Sequence, residues 1–143
     1  MSLSNVFNIA GSAMNAQTVR LNTTASNLAN ADSVSSSYGD TYRARHPVFE
    51  VQPLDQGSLW PATESEAGQG VRVEGIVESD APLRQEFSPN HPMADENGFI
   101  YYPNVNVVEE MADMISASRS FQINADIMDT AKQMLQRTLS LGQ

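Results

Sequence analysis

The sequence contains no cysteine. That absence removes disulfides, thiolate catalysis and zinc–thiolate sites together. Chance in a short chain and a route across compartments, where a thiol would crosslink, account for it equally well. Basic residues are also scarce, eight Lys and Arg against seventeen acids, giving a formal net charge of −9. With so few cations there is no basic patch to neutralise phosphates, which argues against nucleic-acid binding. No apolar run reaches the length of about 18 residues that a transmembrane helix needs, so no direct membrane insertion is expected. The N-terminus lacks the basic and apolar regions of a signal peptide, so the chain is expected to function from Met1 without cleavage. There are two histidines, His46 and His91, each beside a proline in loop-like sequence. Without cysteine or a His pair at ligand spacing they read as surface residues rather than metal ligands. No nucleophile elbow, P-loop or dinucleotide-binding glycine pattern occurs. Asp95-Glu96-Asn97-Gly98 lacks the ligand spacing and closing Glu of a calcium loop and reads as a turn. No catalytic, metal or cofactor-binding residue is therefore assigned.

What is present is helical periodicity at both ends. From Val105 to Leu141 a walk of alternating four and three residues meets Val107, Met111, Met114, Ser118, Phe121, Ala125, Met128, Lys132, Leu135 and Leu139. Eight of these ten are apolar. This is a heptad seam sustained for nearly five heptads. Glu109, Glu110 and Asp113 open the segment and Gly142 follows it, as the helix dipole and C-cap favour. At 1.5 Å per residue such a helix is roughly 55 Å long, more than one compact domain of this size can cover. Its methionines give a pliable seam suited to unlike neighbours.

Residues 1–31 repeat the theme. The same walk meets Leu3, Phe7, Ala10, Met14, Gln17, Leu21, Thr24 and Leu28, six of them apolar. The opposite face is polar but almost uncharged: Asn5, Asn8, Asn15, Thr18, Asn22, Thr23, Ser26 and Asn27, with Arg20 the one charge before Asp32. Solvated helix faces usually carry Lys and Glu four residues apart. An amide and hydroxyl surface suits close helix packing with side-chain hydrogen bonds. Asn and Thr are mediocre helix formers, so this helix should be firm only when packed.

Between the helices the sequence changes character. Residues 32–42 are a Ser-rich linker with a turn at Gly39-Asp40. Residues 43–103 form a small β-rich insert, the most acidic part of the chain, with four Arg and ten acids across 43–104. Strands are expected near 43–51, at 71–78 and at 99–102, the last after the Asn97-Gly98 turn. Residues 52–70 read as an exposed acidic loop, and 81–95, punctuated by Pro82, Pro89 and Pro92, as irregular. Residues 104–143 form the C-terminal helical segment. The expected class is α+β, mainly α: long terminal helices pairing as an antiparallel coiled coil, with a β-rich insert between them.

Two blocks carry a resemblance. Asn27-Leu28-Ala29-Asn30, closing the first helix, resembles the signature of bacterial flagellar axial proteins, and Tyr42-Arg43-Ala44 fits the same pattern. The second block is Tyr102-Pro103-Asn104-Val105-Asn106-Val107-Val108-Glu109-Glu110-Met111. It runs on to Phe121-Gln122, and the chain closes with Leu139-Ser140-Leu141-Gly142-Gln143. Across about residues 1–50 and 70–143 the chain is similar to proximal-rod subunits of the flagellar basal body, whereas hook and distal-rod relatives carry a larger middle domain. Residues 52–70 are longer and more acidic than the resemblance leads one to expect.

The resemblance implies a structural protein, not an enzyme. It implies export by the flagellar type III apparatus without a cleaved signal and assembly in the periplasmic rod. Partners would be the other proximal and distal rod proteins and the adaptor protein at the membrane ring, in a hetero-oligomeric helical tube that transmits motor torque. The packing seams would be Leu3, Phe7, Ala10, Met14, Leu21 and Leu28 on the first helix. On the second they would be Val107, Met111, Met114, Phe121, Ala125, Met128, Leu135 and Leu139. Before assembly the helical arms should be largely disordered. The competing expectation is a type III-secreted helical partner-binding protein or translocator that does not polymerise.

Overall fold

The structure, a computed structural model, describes residues 3–53 and 68–141. The elements run α1 (Leu3–Ala29), β1 (Arg45–Pro53), β2 (Gln69–Glu78), β3 (Arg84–Phe87), β4 (Phe99–Tyr102) and α2 (Val107–Leu141). Helices predominate, as periodicity at both ends requires. At its 35 residues α2 is about 52 Å long. It starts two residues later than the sequence suggests because Asn106 caps it, its side-chain oxygen accepting the Val108 N–H at 3.2 Å. The expected loop is narrower than 52–70 at both ends: Gln52 and Pro53 belong to β1, and Gln69 and Gly70 to β2. The rest of that stretch, 54–67, lies outside the described residues.

Two two-stranded sheets follow, β1 with β2 and β3 with β4. The strand β3 falls in the stretch expected to be irregular. Its residues, Arg84-Gln85-Glu86-Phe87, are all exposed and carry no apolar alternation to mark them. They become a strand by pairing antiparallel with β4, Arg84 opposite Tyr102 and Phe87 opposite Phe99. The pair is tied by an edge-on contact of the Phe87 and Phe99 rings, 5.2 Å between centroids, and by Arg84 stacked 4.3 Å over Tyr102. The connection closes at Asp95, whose Oδ1 accepts the N–H groups of Asn97 and Phe99, both at 2.8 Å. Gly98 follows with φ +81°.

The chain divides into two contact units. The first comprises Met1–Val19, Val48–Gly75 and Ser116–Gln143. Its buried side chains are small: Ala10, Ala16, Ala117 and Ala131. Here β2 is fastened to α1 by Ser12, whose hydroxyl accepts the Val71 N–H at 3.1 Å and donates to the Ile9 carbonyl at 2.8 Å. Arg72 and Glu50 form an exposed ion pair.

The second unit comprises Arg20–Pro47 and Ile76–Ile115. It buries Ala31, Ala44, Leu83 and Ile100, and also Thr23, Thr24, Asn27, Thr41 and Glu110. Half of its interior is therefore polar, which obliges those groups to find partners. Within it α1 and α2 run in opposite directions, Arg20 meeting Asp113 and Asn27 meeting Glu110.

Candidate functional site

The centre of the second unit is Asn27. It lies in the last turns of α1 and is fully buried. A carboxamide has two N–H donors and an oxygen with two acceptor positions. All four are used. Nδ2 donates to the Arg45 carbonyl and to Glu110 Oε1, each at 2.8 Å. Oδ1 accepts from the Arg45 N–H and from Tyr42 Oη, each at 2.9 Å. Turning the amide over would set donor against donor and acceptor against acceptor, so the network fixes its orientation. To Arg45 the side chain presents what a neighbouring strand would: one donor and one acceptor.

Asn104 performs the companion task just before α2. Its Oδ1 accepts the Ala44 N–H at 2.8 Å, and its Nδ2 donates to the carbonyls of Ser79 and Ala81, at 3.2 and 2.8 Å. The Ser79 N–H in turn donates to the Ala44 carbonyl at 2.8 Å. Ala44 and Arg45 thus have both peptide groups satisfied, by two asparagines from opposite ends of the chain and by residue 79. Around them Arg43 donates to the Ser79 carbonyl at 3.1 Å, and Arg45 pairs with Glu78 at 3.1 Å. Pro103 is buried and Val105 half-buried beside Asn104.

Glu110 is the unusual member. Its position in the first turn of α2 and its neighbour Glu109 suggest a solvated acid facing the helix dipole. Glu109 is exposed, as that requires, but Glu110 is only 4% exposed. Burial pushes its carboxyl above the ordinary range; the hydrogen bond from Asn27 and the nearby His46 pull the other way, and Asp113 pushes it further up. Asp113 is itself held by Arg20. Glu110 therefore does not face solvent: its side chain points at α1 and completes Asn27.

The signature residues therefore separate by task. Asn27 and Asn104 bond across the unit. Asn30 bonds locally, its Nδ2 donating to the Ser26 carbonyl at 2.8 Å. Leu28 is half-buried and Ala29 exposed. Of the uncharged polar face expected to pack, Thr23 and Asn27 are buried, whereas Asn8, Asn15, Thr18 and Asn22 face solvent.

The heptad positions also separate. On α1, Ala10 is buried, Phe7, Met14, Leu21 and Leu28 are half-buried, and Leu3 is exposed. On α2, Met114, Ala125 and Met128 are half-buried, but Val107, Met111, Phe121, Leu135 and Leu139 are exposed. The buried line along α2 runs instead through Glu110, Ala117 and Ala131, one position around the helix. Along the helices, then, the fully buried apolar residues are small, and many of the large ones stay exposed. Val108, Ile115, Ile123, Ile127 and Met134 add to that exposed set. In the first unit Leu3, Val6, Ile123, Ile127, Ala131 and Met134 line an apolar groove of about 450 Å³, with Asp126 and Thr130 its polar members. Among the described residues no group of three His, Asp or Glu side chains is placed to hold a metal ion, and no helix is long and apolar enough to cross a membrane.

The sequence that builds this site matches known proteins. Residues 7–35 match the family described as flagella basal body rod protein, and residues 96–141 match the family described as flagellar basal body rod FlgEFG protein C-terminal. Those two stretches contain Asn27 and Glu110, with Asn104 between Glu110 and the start of the second match. The class is thus that of the flagellar axial proteins. The chain is 48% identical over 143 residues to the flagellar basal-body rod protein FlgC of Salmonella typhimurium, covering all of both chains. It is 47% identical to FlgC of Escherichia coli O6:H1 and 40% identical to FlgC of Buchnera aphidicola from Schizaphis graminum, again over the full length of both chains. The chain belongs to the FlgC family of flagellar basal-body rod proteins.

Proposed function

We propose that this chain, a structural subunit of the flagellar basal-body rod, works by packing its terminal helices against those of neighbouring subunits in the proximal rod. The observation that carries the reading is the row of large apolar side chains that α1 and α2 leave uncovered. Monomeric proteins rarely expose a contiguous apolar surface of this kind. Each α2 would lay Val107, Met111, Phe121, Leu135 and Leu139 against adjacent helices in a coiled-coil-like seam, with Leu3, Phe7 and Met14 contributed by α1. Contacts that join unlike faces and do not close generate a helical tube. Torque then passes through many shared contacts and no chemical step is involved. Partners would be the other proximal rod proteins, the distal rod protein and the adaptor at the membrane ring. The location would be the periplasmic rod, reached through the flagellar type III export apparatus without a cleaved signal.

The test separates packing between subunits from folding of the chain. Met111→Asp and Leu139→Asp change residues that are 51% and 65% exposed, so the free chain should lose no more than about 0.5 kcal/mol in denaturant titration. In cells carrying either variant as the sole copy, swimming in soft agar and rods in purified basal bodies should both be lost. Wild-type motility with both variants would reject the seam.

A further inference from the structure

Asn27 serves two dockings with one planar group. One edge and the oxygen hold Arg45, where β1 begins; the remaining N–H holds Glu110 on α2. Glu110 and Arg45 share no hydrogen bond among those of Asn27, yet both depend on the same amide plane. The terminal torsion of an asparagine is otherwise broad and close to two-fold, so each bond removed from the amide lets it rock further. With Glu110 in place, every rotation breaks bonds on both sides at once.

We infer that Asn27 is a positioning residue that couples closure of α2 on α1 to the anchoring of the chain at Arg45. Docking of α2 fixes the amide; the fixed amide fixes the first residue of β1. The companion Asn104, immediately ahead of α2, grips the preceding residue Ala44, so the same closing movement of the chain secures both peptides. A subunit whose helices have not closed in this region therefore holds the start of its β segment less firmly, and the two parts order together. The buried charge suits this role: an acid accepting from a neutral amide makes a stronger hydrogen bond than a neutral pair, and one that is lost entirely if α2 withdraws. The other groups facing Glu110 are Thr24 from α1, His46 from β1 and Asp113 from α2 itself. This inference rests on hydrogen-bond geometry and stands apart from the seam proposed above.

The experiment is hydrogen–deuterium exchange of the full-length chain, read at the Arg45 amide, with Glu110→Met as the central variant. Methionine fills a similar volume and accepts no comparable hydrogen bond. Arg45 exchange should accelerate by about tenfold, through the shared Asn27 amide, the scale of losing one charge-assisted bond. Glu110→Gln, whose side-chain oxygen still accepts from Asn27, should restore most of the protection. Asp113→Asn weakens the other helix–helix tie, to Arg20, and should leave Arg45 within about twofold of wild type, since that tie does not pass through Asn27. Should Glu110→Met unfold the chain, Tyr42→Phe removes a different one of the four partners without a buried charge and should accelerate Arg45 by about threefold. An unprotected Arg45 amide in the wild type overturns the inference. So does unchanged exchange in the folded Glu110→Met chain, or in Tyr42→Phe if that variant has to stand in for it, and so does an equal acceleration in Asp113→Asn.

Discussion

Asn27 is the residue at which substitution should cost most. Asn27→Ala leaves the Arg45 peptide without its partners and Glu110 buried and unpaired, and leaves a small cavity as well. Such combined losses destabilise by about 3–5 kcal/mol, which chemical denaturation would read directly. Asn27→Asp should be no milder, because its carboxylate would face Glu110. Glu110 also gives the protein a pH signature. Its folded carboxyl lies above the ordinary value of 4.5, so the folded state holds its proton more tightly than the unfolded state. Its contribution to stability is greatest below that value and declines as pH rises above it, through the folded value. Stability measured across that upward window should fall less steeply in Glu110→Gln than in the wild type, and equal slopes would show the carboxyl to be without effect. Neither property is visible in the sequence, because a single Glu in a first turn and a single Asn in a polar run look like an ordinary dipole partner and an ordinary helix face. What the sequence did carry was a recurrent block, Asn27 to Asn30, without a reason for it. The reason is burial, which only the fold supplies.

The elements themselves were largely legible. Helical periodicity at both ends, the β2 run of Val71, Val73 and Ile76, and the turn before β4 each have a local physical signal. The strand β3 has none, since four exposed polar and aromatic residues become a strand only through their partner. The face of α2 turned inward was also hidden. Heptad counting finds the largest apolar residues, while the apolar side chains buried along α2 are the small Ala117 and Ala131. Counting by size therefore points to the outward seam. The β3–β4 connection offers a sharper local test. Gly98 has a φ that L-residues rarely adopt, and a Cβ there would lie 3.0 Å from the Phe87 ring and 3.1 Å from Pro89. Gly98→Ala should destabilise by about 1–2 kcal/mol, seen as a lower midpoint in urea at unchanged slope. An unchanged midpoint would mean that the turn relaxes freely.

For the molecule as a whole, the expectation of disordered arms becomes position-specific. Segments 20–30 and 105–115 belong to the unit tied by Asn27, Glu110, Arg20 and Asp113, whereas 3–19 and 116–141 carry seven of the eleven large apolar residues that the described helices leave exposed. In the free chain, amide exchange should be slow in the first pair of segments and fast in the second, and incorporation into rods should slow the second pair. Uniformly slow exchange in the free chain would instead describe a finished monomer. The interleaving of the two units has one more consequence. Each is assembled from stretches far apart in the chain, the second from 20–47 and 76–115 and the first from three pieces that reach to residue 143. A polypeptide delivered from its N-terminus offers no complete unit until Ile115 has arrived, and the other stays unfinished until the final stretch is out. Delivered from the C-terminus, it completes neither until its opening helix has emerged. Either way a chain delivered from one end would stay slack for most of its delivery, and the long loops closed at the end would make the final ordering late rather than progressive.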